Sequence, residues 1–176
     1  MRAYATIYQC VRTHLSREIR LPASDDDFTE LEQGAWGGLL GLHARMMRLI
    51  EADLDRTARL SHPEFEVLLR LSWAGGHRAR LQYLGARAIM TRSGISRVVE
   101  RLEKAGLVTR EEATEDRRGA YAVLTRKGLT EFRRALKAHV ALVRKSFLAH
   151  YSEAELRQMA DFWRRQRDAG QSADRS

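Results

Sequence analysis

The chain of 176 residues contains very little cysteine, which could cross-link it, and very little proline, which could interrupt its helices. Its one cysteine, Cys10, excludes an intramolecular disulfide framework and fits a reducing compartment. Only two prolines, Pro22 and Pro63, interrupt the chain, so long helices are possible. No apolar run approaches the length of a membrane span, and the start of the chain lacks the apolar core of a secretory signal. We therefore expect a cytoplasmic protein.

The signatures of common catalytic and cofactor sites are also missing. The six histidines are scattered along the chain and show neither an HExxH pattern nor the spacing of Cys–His metal ligands. There is no GxSxG elbow, no Walker loop and no GxGxxG fingerprint. We therefore expect a protein that is not an enzyme and that binds no metal and no cofactor.

The charge of the chain is basic and unevenly distributed. Lysine and arginine total 31 against 23 acidic residues, which gives a formal net charge of +8. Between Arg70 and Arg110 nine basic residues accompany two acids, whereas between Asp25 and Glu66 four arginines accompany ten acids. A basic segment beside an acidic one is typical of a protein with one face for nucleic acid. On charge alone, a solvated Arg-rich surface explains the pattern equally well.

The N-terminal part of the chain has a helical pattern in two pieces. Residues 1–26 combine an amphipathic pattern with a linker around Pro22, and they form either an accessory helix or a disordered leader. Residues 27–60 contain a long helical pattern from about Phe28 to Ala58, with apolar residues at three- and four-residue spacing. We expect this second piece to be a dimerisation helix.

The C-terminal part, residues 125–176, has the pattern of two further helices. Thr125 caps the first, which runs to about His150. Ser152 and Glu155 form a capping box that opens the second, in which each side chain satisfies a backbone amide of the other. We expect this helix to end near Arg167 and both helices to contribute to dimerisation.

The middle of the chain, residues 61–124, has the element order of a winged helix-turn-helix domain. A short helix at Leu81–Ala88 precedes a longer one at Thr91–Ala105. Two strands, Leu107–Glu112 and Ala120–Leu124, enclose a polar hairpin tip. The predicted fold is therefore mainly α, with an α+β winged helix-turn-helix domain between long flanking helices.

The second helix of this domain has two distinct faces. Ile95, Val98, Val99 and Leu102 form an apolar stripe at i, i+3, i+4 and i+7 that faces the core. The opposite face carries hydroxyls and guanidinium groups, which can reach base edges and phosphates in a major groove. Its members are Arg92, Ser93, Ser96, Arg97 and Arg101.

The hairpin tip adds a second basic element. Arg117 and Arg118 lie on a two-stranded projection suited to an adjacent minor groove. We expect Asp116 to orient one of the arginines as a bidentate partner rather than to touch DNA. For Arg101, a structural pair with Asp116 and a phosphate contact are equally open.

Three short motifs follow one another in the C-terminal half of the chain. They are Arg101-Leu-Glu-Lys-Ala-Gly-Leu-Val-Thr-Arg, Asp116-Arg-Arg-Gly and Leu124-Thr-Arg-Lys-Gly. Together they resemble the signature of the multiple-antibiotic-resistance-regulator (MarR) family. The upstream segment Thr91–Glu100 is similar to that family's recognition helix, and the resemblance spans about Ala35 to Arg165.

The resemblance implies a triangular homodimer that binds a palindromic operator in double-stranded DNA. It also implies a transcription regulator, more often a repressor than an activator, that a small aromatic or phenolic ligand releases. The DNA-binding residues implied or predicted are Thr91, Arg92, Ser93, Ser96, Arg97, Arg101, Arg117, Arg118 and Gly119.

Several interpretations stay open. Trp36 and His43 are candidates for the ligand site, although aromatic residues at helical spacing are more often core. Cys10 is either a redox sensor or an unpaired thiol. Gln82 stands where the family often has a capping Ser or Thr. The alternatives to the ligand-responsive regulator are a winged-helix module that binds a protein and a DNA binder without a ligand.

Overall fold

The computed structural model describes residues 28–88, 90–112 and 119–173. The helices are α1 (Glu30–Ala58), α2 (His62–Trp73), α3 (Leu81–Arg87), α4 (Arg92–Lys104), α5 (Arg126–Ser146) and α6 (Glu153–Ala173). The strands are β1 (Arg78–Arg80), β2 (Val108–Glu112) and β3 (Ala120–Leu124), and short 3₁₀ turns lie at Gly75–His77 and Leu148–His150. The predicted mainly α fold with a winged helix-turn-helix is confirmed. The N-terminal extension, residues 1–26 with Cys10, lies outside the described residues.

The chain divides into two compact units between Leu49 and Ile50. Within the first unit, the described residues belong almost entirely to the N-terminal part of α1. Within the second, the end of α1, helices α2 to α5 and the sheet enclose the core, because each contributes apolar side chains to it. Its buried side chains include Leu54, Phe65, Leu68, Leu71, Leu84, Ile95, Val99, Leu102, Val108, Ala122, Leu124 and Phe132.

Side-chain caps define where the helices begin. The amide and the hydroxyl of Ser61 both donate to Glu64 at 2.8 Å, and those of Ser152 both donate to Glu155 at 2.7 Å. The hydroxyl of Thr125 accepts from the Gly128 amide at 2.9 Å. The predicted helix starts at Thr125 and Ser152 are therefore confirmed. Two ends differ from expectation, because α5 gives way to a 3₁₀ turn after Ser146 and α6 runs on to Ala173.

The sheet has three strands where the sequence predicted two. Its order is β1-β3-β2, all antiparallel, with Arg78 opposite Val123 and Arg80 opposite Tyr121. Strand β1 was missed because Arg-Ala-Arg contains a single apolar residue and shows no alternation that a pattern could detect. Ala79 alone of the three is buried, and pairing with β3 holds the strand in place.

The start of α3 also differs from what the family resemblance suggested. Its N-cap is Arg80, which makes no side-chain capping hydrogen bond, and Gln82 lies inside the first turn. The helix is held instead by the buried Leu84 and Gly85 and by its connection to β1. None of the helices in the described ranges is long and apolar enough to cross a membrane.

Candidate nucleic-acid interface

Helix α4 is fixed by its cap and by its apolar face. The hydroxyl of Thr91 accepts from the Gly94 amide at 3.1 Å and lies 3.2 Å from the hydroxyl of Ser93. All four residues of the predicted stripe are buried, and none is more than 5% exposed. They are Ile95, Val98, Val99 and Leu102. The buried stripe determines which side of the helix remains outside.

The outward side of α4 carries the polar residues predicted to contact DNA. Thr91, Arg92, Ser93 and Arg97 are exposed, and Ser96 is half-buried. The capped N-terminus of the helix adds its backbone amides to the hydroxyls and guanidinium groups of the first two turns. A phosphate or a base edge that approached this side would meet hydrogen-bond donors first.

Arg101 makes a contact that the sequence did not reveal. Its Nε donates to Oε1 of Glu64 at 2.8 Å, which links α4 to the first turn of α2. Partial burial raises the pKa of Glu64, but hydrogen bonds from the Ser61 amide, from Arg101 and from the Ser61 hydroxyl outweigh it and hold the pKa below its usual value. The anticipated partner Asp116 lies outside the described residues, so that pair stays a prediction; among the described residues Arg101 pairs with Glu64.

A second arginine ties α4 to the wing. Arg110 of β2 donates from Nη2 to the Ser96 carbonyl at 2.7 Å, and its Nε lies 3.4 Å from Glu103. Its backbone amide also donates to Glu103, at 3.3 Å. In the sequence, Arg110 stands out only as part of the basic segment. The spacing of Glu103 and Arg110 around the turn after α4 is the signal that could have found this pair.

The end of α4 is joined to the start of α5. Gly106 turns the chain out of the helix with a φ of 71°, a conformation that favours glycine. Lys127 donates to the Ala105 carbonyl at 2.7 Å, and the Thr125 hydroxyl donates to the Gly106 carbonyl at 2.9 Å. We call the residues 105–107 and 125–128 the α4–α5 joint. Two of the three sequence motifs meet in this joint.

The predicted wing is present, and its strands are paired from Val108 opposite Leu124 to Glu112 opposite Ala120. Gly119 is half-buried and directly precedes β3. The predicted tip residues Asp116, Arg117 and Arg118 lie outside the described residues.

The two residues proposed for a ligand site lie on α1. Trp36 is 44% exposed, and His43 is also exposed. Surface hollows occur along residues 51–64 with Arg101 and along residues 133–144, and neither is lined by Trp36 or His43. The ligand site therefore stays a prediction. In the described part of the chain, no three His, Cys, Asp or Glu residues are placed to hold a metal ion.

Comparison with known proteins adds to this geometry. The profile of the MarR family matches residues 60–119. AbsC, a MarR family transcriptional regulator from Streptomyces coelicolor, superposes with a TM-score of 0.76 at 31% identity, covering 83% of this chain and 98% of AbsC. Sco3205 from the same organism, a MarR family transcriptional regulator crystallised in complex with DNA, gives a TM-score of 0.76 at 29% identity, covering 81% of this chain and 90% of Sco3205.

A curated relative was found by sequence. YkoM, an uncharacterized HTH-type transcriptional regulator of Bacillus subtilis, is 31% identical over 84 residues, which is 48% of this chain and 53% of YkoM. The matched region thus spans about half the length of YkoM. All three relatives are transcriptional regulators, and two of them share the fold over most of their length.

Proposed function

Because the chain belongs to the MarR family of transcriptional regulators, whose members are not enzymes, we propose that it binds an operator in double-stranded DNA and regulates transcription from it. The observation that carries the proposal is the division of α4 into a buried apolar stripe and an exposed face of hydroxyls and arginines. The DNA complex of Sco3205, a protein of the same fold, supports it.

In this proposal α4 is the recognition helix and enters the major groove with its N-terminal turns first. Ser93 and Arg97 are exposed in these turns and reach base edges or phosphates, while Thr91, Arg92 and Ser96 complete the contact surface. Arg101 donates from its Nε to Glu64 and so helps to set the angle of the helix, and a contact of its exposed guanidinium group with a phosphate remains the alternative. The wing inserts Arg117 and Arg118 next to Gly119 into the neighbouring minor groove, with Asp116 orienting one arginine.

We propose that the protein acts as a homodimer. Large apolar side chains are exposed on helices at both ends of the described chain, and exposed apolar surface of this kind marks interfaces between proteins. On α1 or just before it these are Phe28, Leu31 and Trp36, and on α6 they are Phe162 and Trp163. A two-fold dimer places two recognition helices on the half-sites of a palindrome.

The finer assignment is a repressor that a small aromatic or phenolic ligand releases from DNA. The resemblance to the family supports it, together with the exposed Trp36 and His43 on α1 as candidate ligand contacts. Because proteins of this fold differ in their effectors, the ligand class is best tested directly, by adding phenolic and other aromatic acids to the protein–DNA complex. If none of these acids dissociates the protein–DNA complex at a saturating concentration, the result would favour a DNA binder that does not respond to a ligand.

The first experiment is a fluorescence-anisotropy titration of DNA from the protein's own upstream region, over a salt series, with scrambled DNA as the control. We expect a preference for the palindromic sequence and a log–log slope of affinity against salt that steepens by about 0.9 for each phosphate neutralised. Equal binding to both duplexes would point to a distant operator or to a protein partner. Selection from random DNA then separates these, because a protein-binding module would enrich no sequence.

The variant that tests the role of α4 is Arg97→Ala. If Arg97 contacts a base, the variant is expected to lose about 1–3 kcal/mol of binding free energy on the operator and little on scrambled DNA. Equal losses on both duplexes would instead mark a phosphate contact. Full retention of affinity on both would remove Arg97 from the interface.

A further inference from the structure

Arg110 occupies an inward-facing position on strand β2 of the wing. The strand register places it opposite Ala122, which is fully buried, and Val108, two residues earlier on the same strand, is buried as well. Because side chains alternate between the two faces of a strand, Arg110 points to the same side as these core residues. A charged side chain on this side of the sheet needs partners, since burying an unpaired charge is costly.

Arg110 finds its partners on α4, and it contacts them at two points. One end of the guanidinium group, Nη2, donates to the Ser96 carbonyl at 2.7 Å, while Nε lies 3.4 Å from Oε2 of Glu103. The backbone amide of Arg110 donates to the other oxygen of the same carboxylate, at 3.3 Å. Glu103 thus holds both the main chain and the side chain of Arg110, and it leaves Nη2 directed at the Ser96 carbonyl.

The peptide group that Arg110 binds joins two of the residues proposed to contact DNA. The Ser96 carbonyl belongs to the peptide bond between Ser96 and Arg97, in the second turn of α4. Arg97 is exposed, and within the described part of the chain its side chain makes no ion pair and no hydrogen bond. The direction of the Arg97 side chain therefore depends on the backbone that carries it, and Arg110 holds that backbone.

Folding alone gives little reason for an arginine at this position. The Ser96 carbonyl lies inside an α-helix and already accepts from the amide four residues further on, so it does not need Arg110 as a donor. The side chains of Arg110 and Glu103 are 34% and 42% exposed, and ion pairs with such exposure contribute little to stability. The main effect of the contact is on position, because a planar guanidinium group bound at two points restricts how α4 can turn against β2.

We propose that Arg110 is a positioning residue for the reading of DNA. Held by Glu103, it fixes the peptide group between Ser96 and Arg97 and so sets the direction in which Arg97 enters the major groove. Arg110 acts from the wing side of α4 and contacts no DNA itself. The inference rests on the proposed function, because Arg97 needs a DNA sequence to read.

The test is a double-variant cycle, measured as the ratio of affinity for the selected operator to affinity for scrambled DNA. Arg110→Met keeps an unbranched side chain over α4 and removes every donor of the guanidinium group. We expect this ratio to fall about tenfold, in the range of one lost base contact, while the salt slope and the affinity for scrambled DNA keep their wild-type values. In an Arg97→Ala background, Arg110→Met should change the ratio by less than about twofold, because the residue that it positions is gone.

Two further variants examine how Arg110 is held. Glu103→Gln keeps an acceptor but removes the charge that orients Arg110, so we expect a smaller fall in the ratio, and no further fall when Glu103→Gln is combined with Arg110→Met. Arg110→Lys keeps the charge but replaces the planar fork by a single ammonium group, so we expect the ratio to recover only in part. Full recovery would overturn the positioning role, since charge alone would then suffice.

Arg157→Met is the matched control. It removes another exposed arginine that is paired with a glutamate, Glu153, and it should match the wild type in both the ratio and the salt slope. Thermal unfolding of each variant separates position from stability. A lower melting temperature for Arg110→Met with an unchanged ratio would mean that Arg110 only supports the fold, and the inference would be refuted.

Three other results would decide the matter. A salt slope flatter by about 0.9, with equal losses on both duplexes, would mark Arg110 as a phosphate contact and refute the positioning role. An effect of Arg110→Met that persists in full in the Arg97→Ala background would refute it as well, because Arg110 would then act elsewhere. If wild-type protein does not prefer the operator, the proposed function itself fails, whereas a preference that Arg110→Met retains refutes this inference alone.

Discussion

Among single residues, Glu64 serves two helices at once. Its carboxylate accepts from the amide and the hydroxyl of Ser61 at the start of α2, and it binds Arg101 of α4. The side chain of Glu64 is 12% exposed, whereas that of Arg101 is 52% exposed. An arginine on the proposed recognition helix is thus engaged by a well-enclosed acid, which adds a structural role to the DNA contact expected of it.

We therefore predict that Arg101→Ala affects stability more than it affects the salt dependence of DNA binding. The variant leaves a mostly enclosed carboxylate with one donor fewer, and we expect the free energy of unfolding to fall by about 1 kcal/mol. Chemical denaturation measures this loss, and the anisotropy salt series should return the wild-type slope. A slope that is flatter by about one unit would show that Arg101 contacts a phosphate.

His139 contributes a second effect at the residue scale, through pH. Its ring centroid lies 5.0 Å from that of Phe65, and burial holds the pKa of His139 below its usual value. The charge of His62 acts in the same direction, while those of Asp53 and Glu66 oppose it. The unfolded chain therefore binds the proton more readily. The stability linked to neutral His139 is present above the unfolded pKa of 6.5 and is lost as the pH falls below it.

The corresponding variant is His139→Gln, which cannot be protonated in this range. We expect the drop in melting temperature between about pH 7.5 and about pH 5.5 to be smaller in the variant than in the wild type. An equal drop in both proteins would mean that His139 takes up its proton as readily in the folded chain as in the unfolded one.

At the scale of elements, helices with a clear apolar stripe or a side-chain cap were predictable, and strand β1 was not. The stripe from Ile95 to Leu102 and the caps at Thr125 and Ser152 are local signals, and the structure confirms each of them. Strand β1 exists because β3 pairs with it, a relation between residues more than 40 positions apart. The partner of Arg101 was missed for the same reason, since Glu64 lies 37 residues away.

The α4–α5 joint has no room for a side chain at Gly128. A Cβ added at Gly128 would lie 2.0 Å from the Leu107 carbonyl oxygen and 2.9 Å from Cδ1 of Leu124. We predict that Gly128→Ala lowers the free energy of unfolding by about 1–3 kcal/mol or more, because backbone must move to admit the methyl group.

Gly34→Ala provides the matched control for this prediction. Nothing lies within 4 Å of a Cβ added at Gly34 in α1, and alanine is the better helix former. In urea unfolding, Gly128→Ala should therefore have a lower free energy of unfolding than the wild type. Gly34→Ala should have a free energy of unfolding that is equal to or higher than that of the wild type. Equal stability of Gly128→Ala and wild type would show that the joint tolerates the added methyl group by shifting.

At the scale of the whole molecule, the proposed homodimer is the main expectation, and α6 offers a direct test. Phe162 is 50% exposed and Trp163 is 45% exposed, which is unusual for side chains of this size unless a partner covers them. We predict that Trp163→Glu shifts the protein toward monomers in sedimentation or light scattering and weakens operator binding. Arg157→Ala on the same helix should leave the mass at that of the wild type, and an unchanged mass for both would exclude Trp163 from the dimer interface.

The α4–α5 joint has a practical consequence for redesign. The residues that join α4 to α5, 105–107 and 125–128, are distinct from Ser93 and Arg97 on the exposed face of the proposed recognition helix. The residues that position the helix and the residues proposed to read the DNA sequence are thus different. Exchanging positions 93 and 97 for those of another regulator should redirect the protein to a new sequence while the frame that carries the helix is left untouched.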